Sequence, residues 1–245
     1  MIALSVNVNK VATIRNSRGG AMPSVLEAAR VCLDAGAHGI TVHPRADARH
    51  ITPSDVRQLA ALLATRAHPV EFNVEGDPRP DLLDLVLEVV PHQCTLVPVL
   101  PGEITSQAGW TPESGAGVAA VVRRLHAVGI RVSLFVDPVE PAIRWAADTG
   151  AERVELYTEP FARAFERGPQ AAEASFADYA RAAECADRLG LAINAGHDLD
   201  VDNLAVFRRL PHLAEVSIGH ALISRALFVG LSASVRAFLD ALSGP

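Results

Sequence analysis

The stretch I-T-V-H-P-R-A-D-A-R-H, residues 40–50, decides how the rest of the chain is read. Ile40, Thr41 and Val42 look like the end of a buried strand, yet the chain turns at once to His43, Arg45, Arg49 and His50. A core strand ending in imidazole and guanidinium groups fits a fold that gathers strand ends on one polar face. The flanking sequence supplies such a fold, because short runs rich in Val, Ile and Leu alternate with longer amphipathic segments along the whole chain. Strands are expected at residues 3–7, 39–43, 70–75, 94–98, 131–136, 153–157, 192–195 and 215–218. Helices are expected between and after them, at residues 23–35, 53–66, 80–89, 117–128, 138–149, 174–189, 201–209 and 221–242. Thr52 before Pro53 and Asp137 before Pro138 read as capping residues followed by a first-turn proline, and A-G, V-G, T-G and L-G pairs mark helix exits.

About eight such β-α units in 245 residues match a closed parallel (β/α)8 barrel, the TIM-barrel architecture, as one catalytic domain spanning residues 1–245. The strands read as apolar without clean alternation, which suits burial on both faces. An open doubly wound sheet is the second possibility. The junction between Asn7 and Gly20 lacks the G-x-G-x-x-G fingerprint that a dinucleotide-binding version would carry. Residues 159–170 exceed a simple loop and suggest an added helix or lid.

Hydrophobic residues make up 49% of the chain and the mean hydropathy is +0.21, enough to bury a sizeable core. A net charge of -6, without a basic cluster interleaved with aromatics, argues against a nucleic-acid partner. Cys32, Cys94 and Cys185 are widely spaced and form no C-x-x-C pair, so reduced thiols are expected. With neither a basic leader nor an apolar run of membrane-spanning length, a soluble cytoplasmic protein is expected.

In a (β/α)8 barrel the C-terminal strand ends assemble the active site. Taken in order, they offer Asn7, Asn9 and Lys10; His43 and Arg45; Asn73 and Glu75; Thr105 beyond Pro98; Asp137; Glu155; Asn194 and His197; and Gly219 with His220. Glu155 lies inside V-E-L-Y, where an unpaired buried carboxylate is costly and must be paired or functional. Arg18 in R-N-S-R-G-G belongs to a loop whose two arginines and two glycines could grasp a phosphate. Gly219-His220 opens a helix whose free N–H groups could hold another. His68, His126 and His212 read as surface residues away from this face.

The motifs V-N-V-N-K-V-A-T-I-R-N-S-R-G-G, G-I-T-V-H-P-R-A-D-A-R-H-I-T, F-N-V-E-G, V-E-L-Y-T, I-N-A-G-H and S-I-G-H-A-L-I-S-R-A-L, in this order from first strand to last helix, resemble the pyridoxine 5'-phosphate synthase family. The resemblance implies condensation of 3-amino-2-oxopropyl phosphate with 1-deoxy-D-xylulose 5-phosphate, releasing phosphate and water, with no metal or organic cofactor. It carries the catalytic roles onto His43, Glu75 and His197, and a transition-state-stabilising role onto Glu155. Substrate contacts fall on Asn7, Asn9, Lys10, Arg18, Arg45, His50, Thr105, Asp198, Gly219 and His220. It also implies a homo-oligomer, an octamer. The chain departs from the commoner family pattern at Asn9, Lys10, Val99, Glu159, Asp198 and Ser224. These form a correlated set typical of a variant branch, and Asp198 is expected to favour the protonated imidazole of His197.

Repeated proton transfers during condensation, dehydration and ring closure suit histidines and a desolvated glutamate. Two further readings compete. A metal-dependent isomerase or hydrolase would use His43, Glu75, His197 and His220 as ligands, but no compact H-x-H or H-E-x-x-H motif supports it. A non-catalytic phosphometabolite-binding barrel would need the anion sites without the proton-transfer groups.

Overall fold

The computed structural model describes residues 1–99 and 108–244. Eight parallel strands, β1 (Ala3–Asn7), β2 (Gly39–Val42), β3 (Glu71–Gly76), β4 (Gln93–Leu96), β5 (Arg131–Val136), β6 (Arg153–Tyr157), β7 (Ala192–Gly196) and β8 (Leu213–Ile218), close into a barrel in chain order. The helices around it are α1 (Asn9–Asn16), α2 (Val25–Asp34), α3 (Pro53–Ala64), α4 (Pro80–Val89), α5 (Val118–His126), α6 (Glu140–Asp148), α7 (Glu159–Glu166), α8 (Pro169–Arg188), α9 (Leu204–Phe207), α10 (His220–Val229) and α11 (Leu231–Ser243). The closed barrel and the added helix α7 agree with the sequence reading.

The reading of the strands as lacking alternation is corrected. The strands largely alternate, with apolar residues facing the helices and mostly polar ones facing the lumen, Phe135 of β5 being an inward apolar exception beside His197. Leu4, Val6, Ile40, Val42, Val74, Cys94, Leu96, Val132, Leu134, Val154 and Leu156 are fully buried against the helices. Each side chain of this size stabilises the fold by roughly 1.5–3 kcal/mol when taken from water. The inward set includes Ser5, Thr41, Asn73, Thr95, Gln93, Ser133, Arg131, Arg153 and Asn194 with the carboxyl groups of Glu71, Glu75, Glu155 and Glu215, where barrels of this kind ordinarily hold bulky branched residues.

Many of these polar groups pair across strands, although Ser133 Oγ and Asn194 Nδ2 find no hydrogen-bond partner among the described residues. Ser5 Oγ lies 2.7 Å from Thr41 Oγ1, Asn73 donates to Thr41 at 3.4 Å, and Thr95 donates to Asn73 at 3.0 Å. Below them Arg131 meets Glu71 at 2.5 Å and donates to Gln93 at 3.1 Å. Arg153 reaches Asn194 at 3.0 Å, Glu215 at 3.3 Å and Glu71 at 3.8 Å, spanning strands β3, β6, β7 and β8. Removing Glu71 would cost Arg131 its carboxylate partner in this network and leave Arg153 with the Glu215 carboxylate alone.

Two helical expectations are corrected. Residues 221–242 are two helices, because Gly230 adopts φ 85°, ψ 150°, a conformation that ends α10 and that a side chain rarely tolerates. Helix α1 was not expected; only Val11 and Ala12 of its residues are buried, too few to print a helical period. Thr52 caps α3 in a full capping box with Asp55, as its sequence suggested. Asp137 does not cap α6, which begins at Glu140; its carboxylate accepts the Gly109 N–H at 3.3 Å instead.

Candidate active site

His43 follows β2 directly, and its backbone is fixed from β1. The His43 N–H donates to Asn9 Oδ1 at 2.9 Å, the Asn9 N–H donates to Asn7 Oδ1 at 3.0 Å, and the Asn7 amide donates to Glu75 Oε2 at 3.4 Å. Asn7, Asn9, His43 and Glu75 therefore form one connected unit at the C-terminal ends of β1, β2 and β3. A Cβ on Gly76 would lie 3.5 Å from His43 Nε2 and 2.7 Å from Leu82, so glycine lets the imidazole lie over the end of β3.

The loop after His43 is clamped from two sides. Arg79 donates to the Pro44 carbonyl and pairs with Asp77 at 2.6 Å. Arg15 pairs with Asp55 at 2.5 Å, and Asn16 donates to the His50 carbonyl at 2.7 Å. The R-N pair of R-N-S-R-G-G thus shapes the loop rather than grasping an anion, while Arg18 is exposed. The clamp holds Arg45 and His50 inward, both buried, with Arg45 Nε 3.8 Å from Asp47 and the His50 ring centroid 6.2 Å from that of His43. Burial first, then the Arg45 and Lys10 charges, pushes the His50 imidazole down to about 4. His43 falls well below its ordinary value through burial, then through His50, Arg45 and Arg79. This cluster of neutral imidazoles and cations suits an anion.

Four carboxyl groups occupy the lumen. Glu75 is pushed up to about 8, first by burial and then by the charge of Glu215. Burial, then Glu75, raises Glu155 well above the ordinary range. At the base, burial and then Glu71 drive Glu215 up, whereas for Glu71 burial is opposed by hydrogen bonds from Glu215 and Arg131 and by the Arg131 and Arg153 charges, which together hold it low. The groups titrate as a set. A rate limb that follows Glu75 is expected near pH 8. Because the Glu215 charge raises Glu75, Glu215→Gln should move that limb to lower pH in a profile of kcat/KM. An unmoved limb would place the limb outside this carboxyl set.

His197 follows β7 on the opposite wall. Its ring centroid lies 4.9 Å from that of Phe135 and 5.8 Å from that of Tyr157, and its Nδ1 is buried without a hydrogen-bond partner among the described residues. Asp198 does raise its pKa, as the sequence suggested, but burial is the larger effect and leaves it below the ordinary value. Tyr157 is pushed up to about 12 by burial and then Glu159, so it serves as a neutral wall. A Cβ on Gly196 would stand 2.5 Å from Glu155 Oε1, so the glycine lets β7 pass over the carboxyl group. Lys10 is half-buried beside His50, and Gly219 and His220 open α10 without a side-chain cap. Thr105 lies outside the described residues. His126 is bound to Glu152, and exposed His68 and His212 lie away from the site.

The sequence and fold comparisons bear on this arrangement. A family model described as "Pyridoxal phosphate biosynthesis protein PdxJ" matches residues 4–244. The chain belongs to the PdxJ family. Relatives named "Pyridoxine 5'-phosphate synthase" include one from Leptospira biflexa, 50% identical, with 99% of this chain and 98% of the relative covered. One from Bacteroides fragilis is 51% identical, with 99% and 100% covered, and one from Xanthomonas oryzae pv. oryzae is 53% identical, with 99% and 97% covered. Phosphoribosyl anthranilate isomerase from Thermotoga maritima shares the barrel at 13% identity, with TM-score 0.63 and 100% of both chains covered. Thiamine phosphate pyrophosphorylase from Pyrococcus furiosus does so at 13% identity and TM-score 0.62, with 99% and 96% covered. At such identities these two reflect the fold alone.

The sequence reading of this PdxJ member counted Arg15 in a phosphate-grasping loop where it instead pairs with Asp55, and it passed over Asn16 and Arg79, which hold the His43 loop, and over Phe135 and Thr158 beside His197. It also passed over Glu71 and Glu215. The reasoning applied to Glu155, that a carboxylate inside a buried strand must be paired or functional, was available for both. No three His, Cys, Asp or Glu side chains among the described residues are grouped as a metal requires, so the metal-dependent reading finds no ligand set there.

Proposed function

We propose that the chain condenses 3-amino-2-oxopropyl phosphate with 1-deoxy-D-xylulose 5-phosphate to form pyridoxine 5'-phosphate, with His43, Glu75 and His197 moving protons and Glu155 stabilising the transition state. The observation that carries this reading is the convergence of two perturbed imidazoles and two perturbed carboxyl groups on one barrel mouth in a PdxJ-family chain. Glu75, pushed up to about 8, can both accept and return a proton near neutrality. His197 acts as general acid in the dehydrating, ring-closing stage. Arg45, His50 and Lys10 receive one phosphate, and the N–H groups at Gly219 and His220 receive the other. Asn7, Asn9, Arg18, Thr105 and Asp198 complete the substrate contacts. No metal or organic cofactor takes part. Incubation of the purified protein with both substrates should yield pyridoxine 5'-phosphate and inorganic phosphate. Binding of both without product would leave the chain as a phosphometabolite-binding barrel.

Lys10 places a cation in the anion pocket, so Lys10→Ala should raise KM for one substrate by about tenfold, the size of one lost charge-assisted hydrogen bond, with little change for the other. Unchanged KM values would remove Lys10 from the pocket. We also infer a homo-oligomer, an octamer as in the family. Leu227, Phe228 and Val229 leave a contiguous apolar patch at the end of α10, with Phe228 89% exposed, which supports a subunit contact there. No helix among the described residues is long and apolar enough to cross a membrane, and Cys32, Cys94 and Cys185 are free and buried. We place the enzyme in the cytoplasm on the strength of those thiols and its biosynthetic family.

A further inference from the structure

Thr158 stands at the N-cap of α7, where a threonine hydroxyl ordinarily accepts an N–H from the second or third residue of the helix. Here it makes no cap bond. The second residue of α7 is Pro160, which has no N–H to offer. The hydroxyl turns the other way, across to β7, and shares its one proton between the carbonyl oxygens of Gly196 and His197. Thr158 is fully buried, so no bulk solvent can replace it at those two oxygens.

Two successive carbonyls converge on one donor because of the backbone between them. His197 adopts φ 77° and Asp198 φ 56°, two consecutive left-handed residues of which neither is glycine. Such conformations persist only where the surroundings over-determine them. Asn203 supplies part of that restraint by donating to the Asp198 carbonyl at 3.0 Å. Thr158 supplies the part next to the imidazole. Its own strand end is held in turn, since Tyr179 on α8 donates to the Tyr157 carbonyl at 2.6 Å.

We propose that Thr158 is a positioning residue for the reaction: its hydroxyl locks the left-handed turn at His197 and so aims the imidazole between Phe135 and Tyr157 toward the substrate. It touches no substrate and acts through His197, and the proposal therefore rests on the acid role assigned to His197. Without the hydroxyl both carbonyls lose their donor, the turn relaxes, and the ring leaves its aromatic slot. A displacement of about 1 Å in a catalytic group can cost on the order of a hundredfold in rate.

The test is a set of steady-state measurements with both substrates on Thr158→Val, Thr158→Ser, His197→Asn and the Thr158→Val/His197→Asn double variant. Thr158→Val, close in shape, should lower kcat by about tenfold or more while KM for each substrate stays within about twofold. Thr158→Ser keeps the hydroxyl and should recover most of kcat. The double variant should be no slower than His197→Asn alone, because the hydroxyl has nothing left to aim. Thr158→Ala takes the place of the valine variant should that one not fold. A severe His197→Asn defect beside near-wild-type Thr158→Val, or losses that multiply in the double variant, would overturn the proposal and leave the role of His197 standing. Near-wild-type kcat in His197→Asn would instead remove the acid assignment, and the role of Thr158 with it.

Discussion

Replacing Glu75 by glutamine lowers kcat by about a hundredfold or more, the loss expected when a positioned proton-transfer group disappears. The substitution keeps the size of the side chain and an oxygen able to accept the Asn7 amide, so the connection from β1 to β3 survives. What it removes is a group that ionises near neutrality. Burial pushes Glu75 up to about 8, and that position makes it useful in both directions of proton transfer. Glutamine also carries no charge to desolvate, so the folded state should be at least as stable as the wild type. A thermal melt beside the rate measurement separates the two effects. Near-wild-type turnover would reassign Glu75 to holding Asn7.

The second large effect is expected at His197. His197→Asn retains a neutral donor and an amide that tolerates the left-handed conformation, but it cannot titrate. Loss of an acid lowers turnover, whereas loss of uniform ground-state binding raises KM. The variant should therefore keep its KM for the aminoketone phosphate and lose about a hundredfold in kcat. Asp198→Gly provides the companion experiment, because glycine accepts φ 56° without strain. Asp198 raises the His197 pKa, so its removal should shift the limb that reports loss of the acid's proton to lower pH. Turnover unchanged in His197→Asn at saturating substrate would show that another group gives up the proton.

The barrel was legible because its strands and helices alternate in the sequence with clear boundaries. Strands β1, β5 and β6 fall where the sequence puts them, and most others differ by a residue or two at an end. The strand-end residues His43, Glu75 and His197 were legible for the same reason, since parallel topology sends every C-terminal end to one face. The lumen was harder to read. In R-V-S-L-F-V and E-F-N-V-E-G the polar residues alternate with the apolar ones, but they pack against other strands of a closed barrel, and such cross-barrel partners are far apart in the chain. Glu71 and Arg153, 3.8 Å apart in space, carry no local signal of that contact. Thr158 was hidden differently: a threonine before a helix reads as its cap, and only the three-dimensional course of β7 reveals where the hydroxyl goes.

The proposed condensation rests on acid–base chemistry by side chains at this barrel mouth. It is decided by a turnover assay on protein stripped of metal by a chelator and given both phosphorylated substrates, with pyridoxine 5'-phosphate and inorganic phosphate followed together. Equimolar formation of the two at the rate of the untreated protein is expected. Formation of neither, or activity that returns only when one divalent ion is added back, would contradict it.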